Sequence, residues 1–147
     1  MTKKILVPTD NSKQAEKAGE HAIEIADLFG EIILLYVIDT DYLNELSQPD
    51  LKERLRKKLK DEGKQAVENF RQKLEDAKCE GKCKNVELIP LIKEGVPADV
   101  ILKTIEEEEI DQVIIGKSGK SGITKLLIGS TANKVIKGSK APVNVIS

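Results

Sequence analysis

Apolar residues along this chain fall into two alternating textures. Ile5-Leu6-Val7 is a short continuous apolar run that ends at Pro8 and reads as a buried strand. Thr9-Asp10-Asn11-Ser12 follows, rich in helix-capping types, and then Ala15, Ala18, Ala22, Ala26 and Phe29 recur on one helical face, with Gly30 placed to end it. Ile32 to Ile38 is again continuously apolar, which fits a central strand covered on both sides. Thr40 to Gln48 shows no clear period and reads as a loop. From Pro49 to about Lys78 a stripe of Leu51, Leu55, Leu59, Ala66, Phe70, Leu74 and Ala77 predicts a long amphipathic helix, which Gly63 is placed to interrupt.

The alternation continues to the end of the chain. Val86 to Ile92 contains Pro90 and suits an edge strand. Gly95-Val96-Pro97 opens a helix whose apolar face is Val100, Ile101 and Ile105. Gln112 to Ile115 is a fourth strand that stops at Gly116. A glycine-rich loop runs to Gly129, a short helix starts near Ser130, and Val143 to Ile146 is a fifth strand. Strands alternating with helices predict an α/β fold: an open five-stranded parallel sheet with right-handed crossovers and helices on both faces.

Composition narrows the class. With 147 residues, 39% hydrophobic and 33% charged, the chain is about one globular domain, residues 1–147. Aromatics are only 3%, so Ile, Leu, Val and Ala must build the core. No apolar run reaches the ~18 residues of a membrane span. Met1 leads within four residues into the first strand, so no signal peptide is read and a cytoplasmic location is expected. A net charge of −1 argues against nucleic-acid binding. Yet Gly116 to Lys140 holds Lys117, Lys120, Lys125, Lys134, Lys137 and Lys140 and no acid, which suits a local anion site. Cys79 and Cys83 read as incidental thiols at a helix end, and His21 as a solvent-facing residue of the first helix.

The chemistry concentrates at two strand ends, where open α/β sheets bind ligands. One offers Pro8-Thr9-Asp10. The other runs through Gly116-Lys117-Ser118-Gly119-Lys120-Ser121-Gly122 to Gly129-Ser130-Thr131. Glycines there permit positive φ and close approach of N–H groups to an anion. Ser130 and Thr131 stand at a predicted helix N-terminus, where free N–H groups and the helix dipole favour phosphate. Asp10 reads either as a ligand contact or as a turn former beside a cap at Asn11 or Ser12. The pattern is neither the dinucleotide fingerprint, which belongs after the first strand, nor a Walker A loop, because Asp111 occupies the position of its first glycine.

The spacing Gly116, two residues, Gly119, nine residues, Gly129-Ser130 resembles the nucleotide motif of the ATP-binding universal stress proteins. The likeness extends along the chain. Ile5 to Asp10 resembles the family's opening strand, Leu34 to Asp39 its second strand, Gly95 and Pro97 the start of its third helix, and Pro142 to Ile146 its closing strand. The resemblance implies a Rossmann-like sheet of order 3-2-1-4-5 and a site for ATP or another adenine nucleotide with Mg2+ or Mn2+. It implies that the backbone at Val37 meets adenine, and that Pro8, Thr9 and Asp10 lie near ribose, phosphates or their metal. Gly116, Gly119, Gly129, Ser130 and Thr131 would surround ribose and phosphates. A homodimer through the C-terminal strand is implied as well. The sequence departs from the family pattern at Ser118, where many members carry His or Arg, and at Asn144, where an aliphatic residue is usual. A regulatory ATP-binding module, with at most slow hydrolysis, is the expected function. A phosphatase or nucleotidyl transferase on the same scaffold is the alternative, and a nucleotide-free dimer a third. The loop holds no His and no carboxylate pair, and Asp10 stands alone as a general base, which favours the module.

Overall fold

A computed structural model describes residues 3–118 and 128–147. Its elements are β1 (Lys4–Thr9), α1 (Lys13–Ile25), β2 (Glu31–Asp39), α2 (Thr40–Asn44), α3 (Pro49–Cys79), β3 (Glu87–Gly95), α4 (Pro97–Glu107), β4 (Gln112–Gly116), α5 (Ser130–Gly138) and β5 (Val143–Ile146), with a 3-10 turn at Ala26–Leu28 between α1 and β2. All five strands are parallel and their order is β3-β2-β1-β4-β5, the order the family resemblance implies.

Alternation along each strand divides the core in two. Ile5, Val7, Ile32, Leu34 and Ile114 turn to one face and pack against Ala18 and Ala22 of α1 and Val67, Phe70 and Leu74 of α3. Leu6, Ile33, Leu35, Val113 and Ile115 turn to the other and meet Ile101 and Ile105 of α4 and Ala132 and Val135 of α5. Both faces of β1, β2 and β4 are therefore covered, which is why these strands are apolar without a break. Burying each such side chain contributes roughly 1.5–3 kcal/mol. The small residues of α1 let the helix lie close to the sheet, so aliphatic side chains fill the core with few aromatics.

Three details differ from the sequence expectations. The first strand does not stop before Pro8 but continues to Thr9. Pro8 lies beyond the last β1–β4 pair, Leu6–Val113, so a central strand tolerates the missing N–H there. Thr40–Asn44 is a short helix and not a loop, because Asp39 accepts from the N–H groups of Asp41 and Tyr42 and caps it. Gly63 does not interrupt α3. It is buried within it, and a Cβ there would stand 2.8 Å from Cδ1 of Tyr36, so glycine lets the helix approach β2.

Pro90 does sit on an edge strand, β3. His21 lies on α1, half-buried, with its Nδ1 3.9 Å from Glu24. Cys79 is the exposed last residue of α3, whereas Cys83 is buried, its N–H donating to Asp27 and its thiol to the Ile23 carbonyl. No helix among the described residues is long and apolar enough to cross a membrane.

Candidate functional site

Because every strand runs the same way, the five carboxyl ends share one edge of the sheet. The winding reverses between β1 and β4. Those strands pair only at Ile5–Gln112 and Leu6–Val113, whereas β1 pairs with β2 from Lys4–Glu31 through Thr9–Tyr36. Beyond Leu6 the sheet therefore opens into a crevice, the expected place for a ligand.

A cavity of about 680 Å³ lies there, within the range of small-molecule and cofactor sites. Pro8, Thr9 and Asp10 line it from β1, Val37 from β2, Gly116 from β4, and Gly129, Ser130 and Thr131 from the start of α5. Sites separated by more than a hundred residues in sequence are thus brought together. Gly119 lies outside the described residues.

Each member has a local reason for its position. Asp10 turns the chain: its Oδ1 accepts from the Ser12 N–H at 3.0 Å, and Ser12 caps α1 by accepting from the Ala15 N–H at 3.2 Å. Thr9 accepts from the N–H of Asn11, which adopts a φ of 67°. Turn formation and cavity lining therefore coexist in Asp10, and Ser12 is the cap.

Gly116 answers a steric demand. A Cβ on it would stand 2.9 Å from the Gln14 carbonyl carbon, so only glycine lets the start of α1 close over the end of β4. Gln14 also accepts from the Ser118 N–H through Oε1 at 2.9 Å, which holds buried Ser118 at the cavity wall. The Gly129 N–H donates to the Lys117 carbonyl at 2.8 Å, joining the two ends of the glycine-rich segment at its base.

Gly129, at φ −60° and ψ 156°, is the N-cap of α5. The sequence suggests positive φ for the loop glycines and places Ser130 at the start of this helix. The structure puts Ser130 one position inside the helix, and among the described residues the left-handed glycines are Gly81 and Gly95. The start of α5 lines the cavity, and no acid in its own first turn offsets the partial positive charge of its N–H groups.

The opposite wall escaped sequence reasoning. Tyr42 of α2 and Leu55, Lys58, Leu59 and Glu62 of α3 line the cavity, as do Tyr36, Asp39 and Pro97. The leucines belong to the apolar stripe of α3 and carry no sign of a second role. Among the described residues of the wall, Lys58 is the cation, against Asp10, Asp39 and Glu62. The Tyr36 hydroxyl donates to Glu62 Oε2 at 3.4 Å. Burial pushes its phenol pKa up, and the negative charge and hydrogen bond of Glu62, then the charge of Asp10, push it further, so Tyr36 stays neutral.

The model of the universal stress protein family matches residues 1–147. This chain belongs to the universal stress protein family. Universal stress protein MJ0531 of Methanocaldococcus jannaschii is 34% identical over 145 residues, which cover 98% of this chain and 81% of the relative. Universal stress protein MJ0577 of the same archaeon is 34% identical over 161 residues, covering 99% of this chain and 95% of the relative. A solved structure of MJ0577 matches with a TM-score of 0.82 at 36% identity, over 99% of this chain and 96% of that one. Universal stress protein UspA of Lactobacillus plantarum matches with a TM-score of 0.81 at 27% identity, over 99% and 98%. The two solved structures share the fold over nearly the whole chain.

Proposed function

We propose that the chain is an ATP-binding stress-response and regulatory module of the universal stress protein type, and that the cavity at the β1–β4 crevice holds the nucleotide. The observation that carries this reading is the convergence of Pro8, Thr9, Asp10, Val37, Gly116, Gly129, Ser130 and Thr131 on one cavity. The start of α5 supplies N–H groups and two hydroxyls for the phosphates, with no acid in that turn. Val37 stands one residue past the last β1–β2 pair, Thr9–Tyr36, which leaves its backbone on that side available to a purine edge. Gly119 belongs to the proposal through its place in the glycine spacing.

The oxygen donors around Asp10 suit Mg2+ or Mn2+. Asp10 would hold the ion with its carboxylate, beside the hydroxyls of Thr9, Ser130 and Thr131, and the ion would neutralise phosphate charge. The proposed assembly is a homodimer through β5, and the proposed location is cytoplasmic.

Denaturing the purified protein and analysing the released small molecules by mass spectrometry tests the ligand directly. ATP or another adenine nucleotide is expected. Thermal unfolding of ligand-free protein with Mg-ATP, ADP and GTP gives the second readout. A ligand that binds only the folded state adds about 2.7 kcal/mol at 100 times its Kd. A ligand-free sample that shifts with no adenine nucleotide would overturn the reading.

A further inference from the structure

The chain carries two Tyr, two Phe and no Trp. Tyr36 and Phe70 are buried, and Phe29 packs partly against the core. Tyr42, which lines the cavity as Tyr36 does, differs in being 50% exposed. Two local features set its position. Asp39 Oδ1 accepts from the N–H groups of Asp41 at 2.9 Å and Tyr42 at 3.4 Å, which starts α2 directly after β2. The next residue, Leu43, is 1% exposed and anchors α2 among Tyr36, Ile38 and Ala66. With its neighbour locked inward, the Tyr42 ring is held at the cavity and not in the core. The cavity's lining includes the apolar side chains of Val37, Leu55, Leu59 and Pro97 and the charged ones of Asp39, Lys58 and Glu62, whereas the polar donors of Ser130 and Thr131 lie on α5.

A half-exposed aromatic ring on a cavity with aliphatic side chains in its lining, and phosphate donors on another element, fits a ligand that has a planar ring and an anionic tail. We propose that Tyr42 stacks on the base of the bound nucleotide. The proposal rests on the nucleotide reading and deepens it by assigning the base end of the cavity. Every base has a π face, so this contact supplies affinity and accepts any purine. It uses the ring of Tyr42 and not its hydroxyl.

Calorimetric titrations of the parent, Tyr42→Ala and Tyr42→Phe with ATP, adenosine and inorganic triphosphate test it. Tyr42→Ala should weaken ATP and adenosine by a similar factor, about tenfold, and leave triphosphate unchanged. Tyr42→Phe should bind ATP like the parent. Tyrosine emission comes from Tyr36 and Tyr42 alone, and buried Tyr36 also lines the cavity, so ATP should change the emission of the parent, and Tyr42→Phe should lose most of that change while keeping its affinity. This last arm does not depend on how well Tyr42→Ala folds. If the parent binds ATP but Tyr42→Ala binds it equally well, or Tyr42→Phe is as weak as Tyr42→Ala, or emission does not respond, the stacking assignment is wrong and the nucleotide reading stands. A parent that binds no adenine nucleotide overturns both.

Discussion

Among single residues, the glycines and the serine of the site can be separated by what each is for. Gly116 exists to let α1 approach β4, so Gly116→Ala forces the backbone of Gln14 to move. Overpacking of this kind costs about 1–3 kcal/mol, expected as a lower urea midpoint together with weaker ATP binding. Ser130 is different. Because Gly129 holds the cap position, Ser130→Ala removes no capping bond. Its urea midpoint should match the parent, while ATP affinity falls about tenfold, since a hydrogen bond to a charged group is worth ~1.5–3 kcal/mol. Unchanged affinity on calorimetric titration would remove Ser130 from the phosphate contacts. The glycine spacing made this region legible in the sequence, but the reason given for it was incomplete. Left-handed backbone is visible as a residue preference; a close approach between residues 14 and 116 is not, because nothing local at Gly116 names its neighbour.

At the level of elements, periodicity located every strand and all the longer helices. It failed at α2, which is too short to show a period and owes its existence to the Asp39 cap. It also misjudged Gly63, where helix propensity suggested a break and tertiary packing against Tyr36 decides instead. That contact predicts an inverted propensity effect. Alanine normally gains about 1 kcal/mol over glycine inside a helix, yet Gly63→Ala should lower stability in urea unfolding, because the new methyl meets a buried ring. A more stable variant would mean that α3 can slide away from β2. Where α3 meets α1, Lys73 bonds Glu16 at 2.7 Å and Glu20 at 3.0 Å. Partial burial lowers the Lys73 pKa, and the hydrogen bonds and charges of the two glutamates outweigh it, for a net rise. The sign follows: the bridge stabilises fully below the unfolded lysine pKa of 10.5 and fades as pH climbs through the higher folded value. The Lys73 side chain is 33% exposed and both partners are more exposed still, so Lys73→Met should cost under about 1 kcal/mol at pH 7, and less in high salt.

Across the whole molecule, the strand order decides which surfaces remain open. β5 pairs with β4 on one side and ends the sheet on the other. An edge of Val143, Asn144, Val145 and Ile146 can pair with its copy about a two-fold axis, which is the proposed dimer. Light scattering at micromolar concentration should give twice the monomer mass, and deleting residues 143–147 should give monomers. A dimer that survives the deletion would place the contact on another surface. The sheet order itself was legible only through family resemblance. Alternating strands and helices establish a parallel sheet, whereas which strands are neighbours depends on long-range pairing that no local pattern encodes. The far wall of the cavity was hidden for the same reason, since Leu55 and Leu59 look like any other core leucines of an amphipathic helix.

The parallel sheet also sets how the protein can be handled. β1 starts at the edge remote from the cavity, with Lys4 beside Asp111 at the entrance to β4. β5 finishes at the other edge, where Ile146 pairs with Gly116 and its carbonyl accepts from the Lys117 N–H at 2.7 Å. A fluorescent fusion or surface tether attached ahead of residue 4 therefore leaves the mouth of the cavity clear. The same attachment made directly after Ser147 crowds both the root of the glycine-rich segment and the edge of β5.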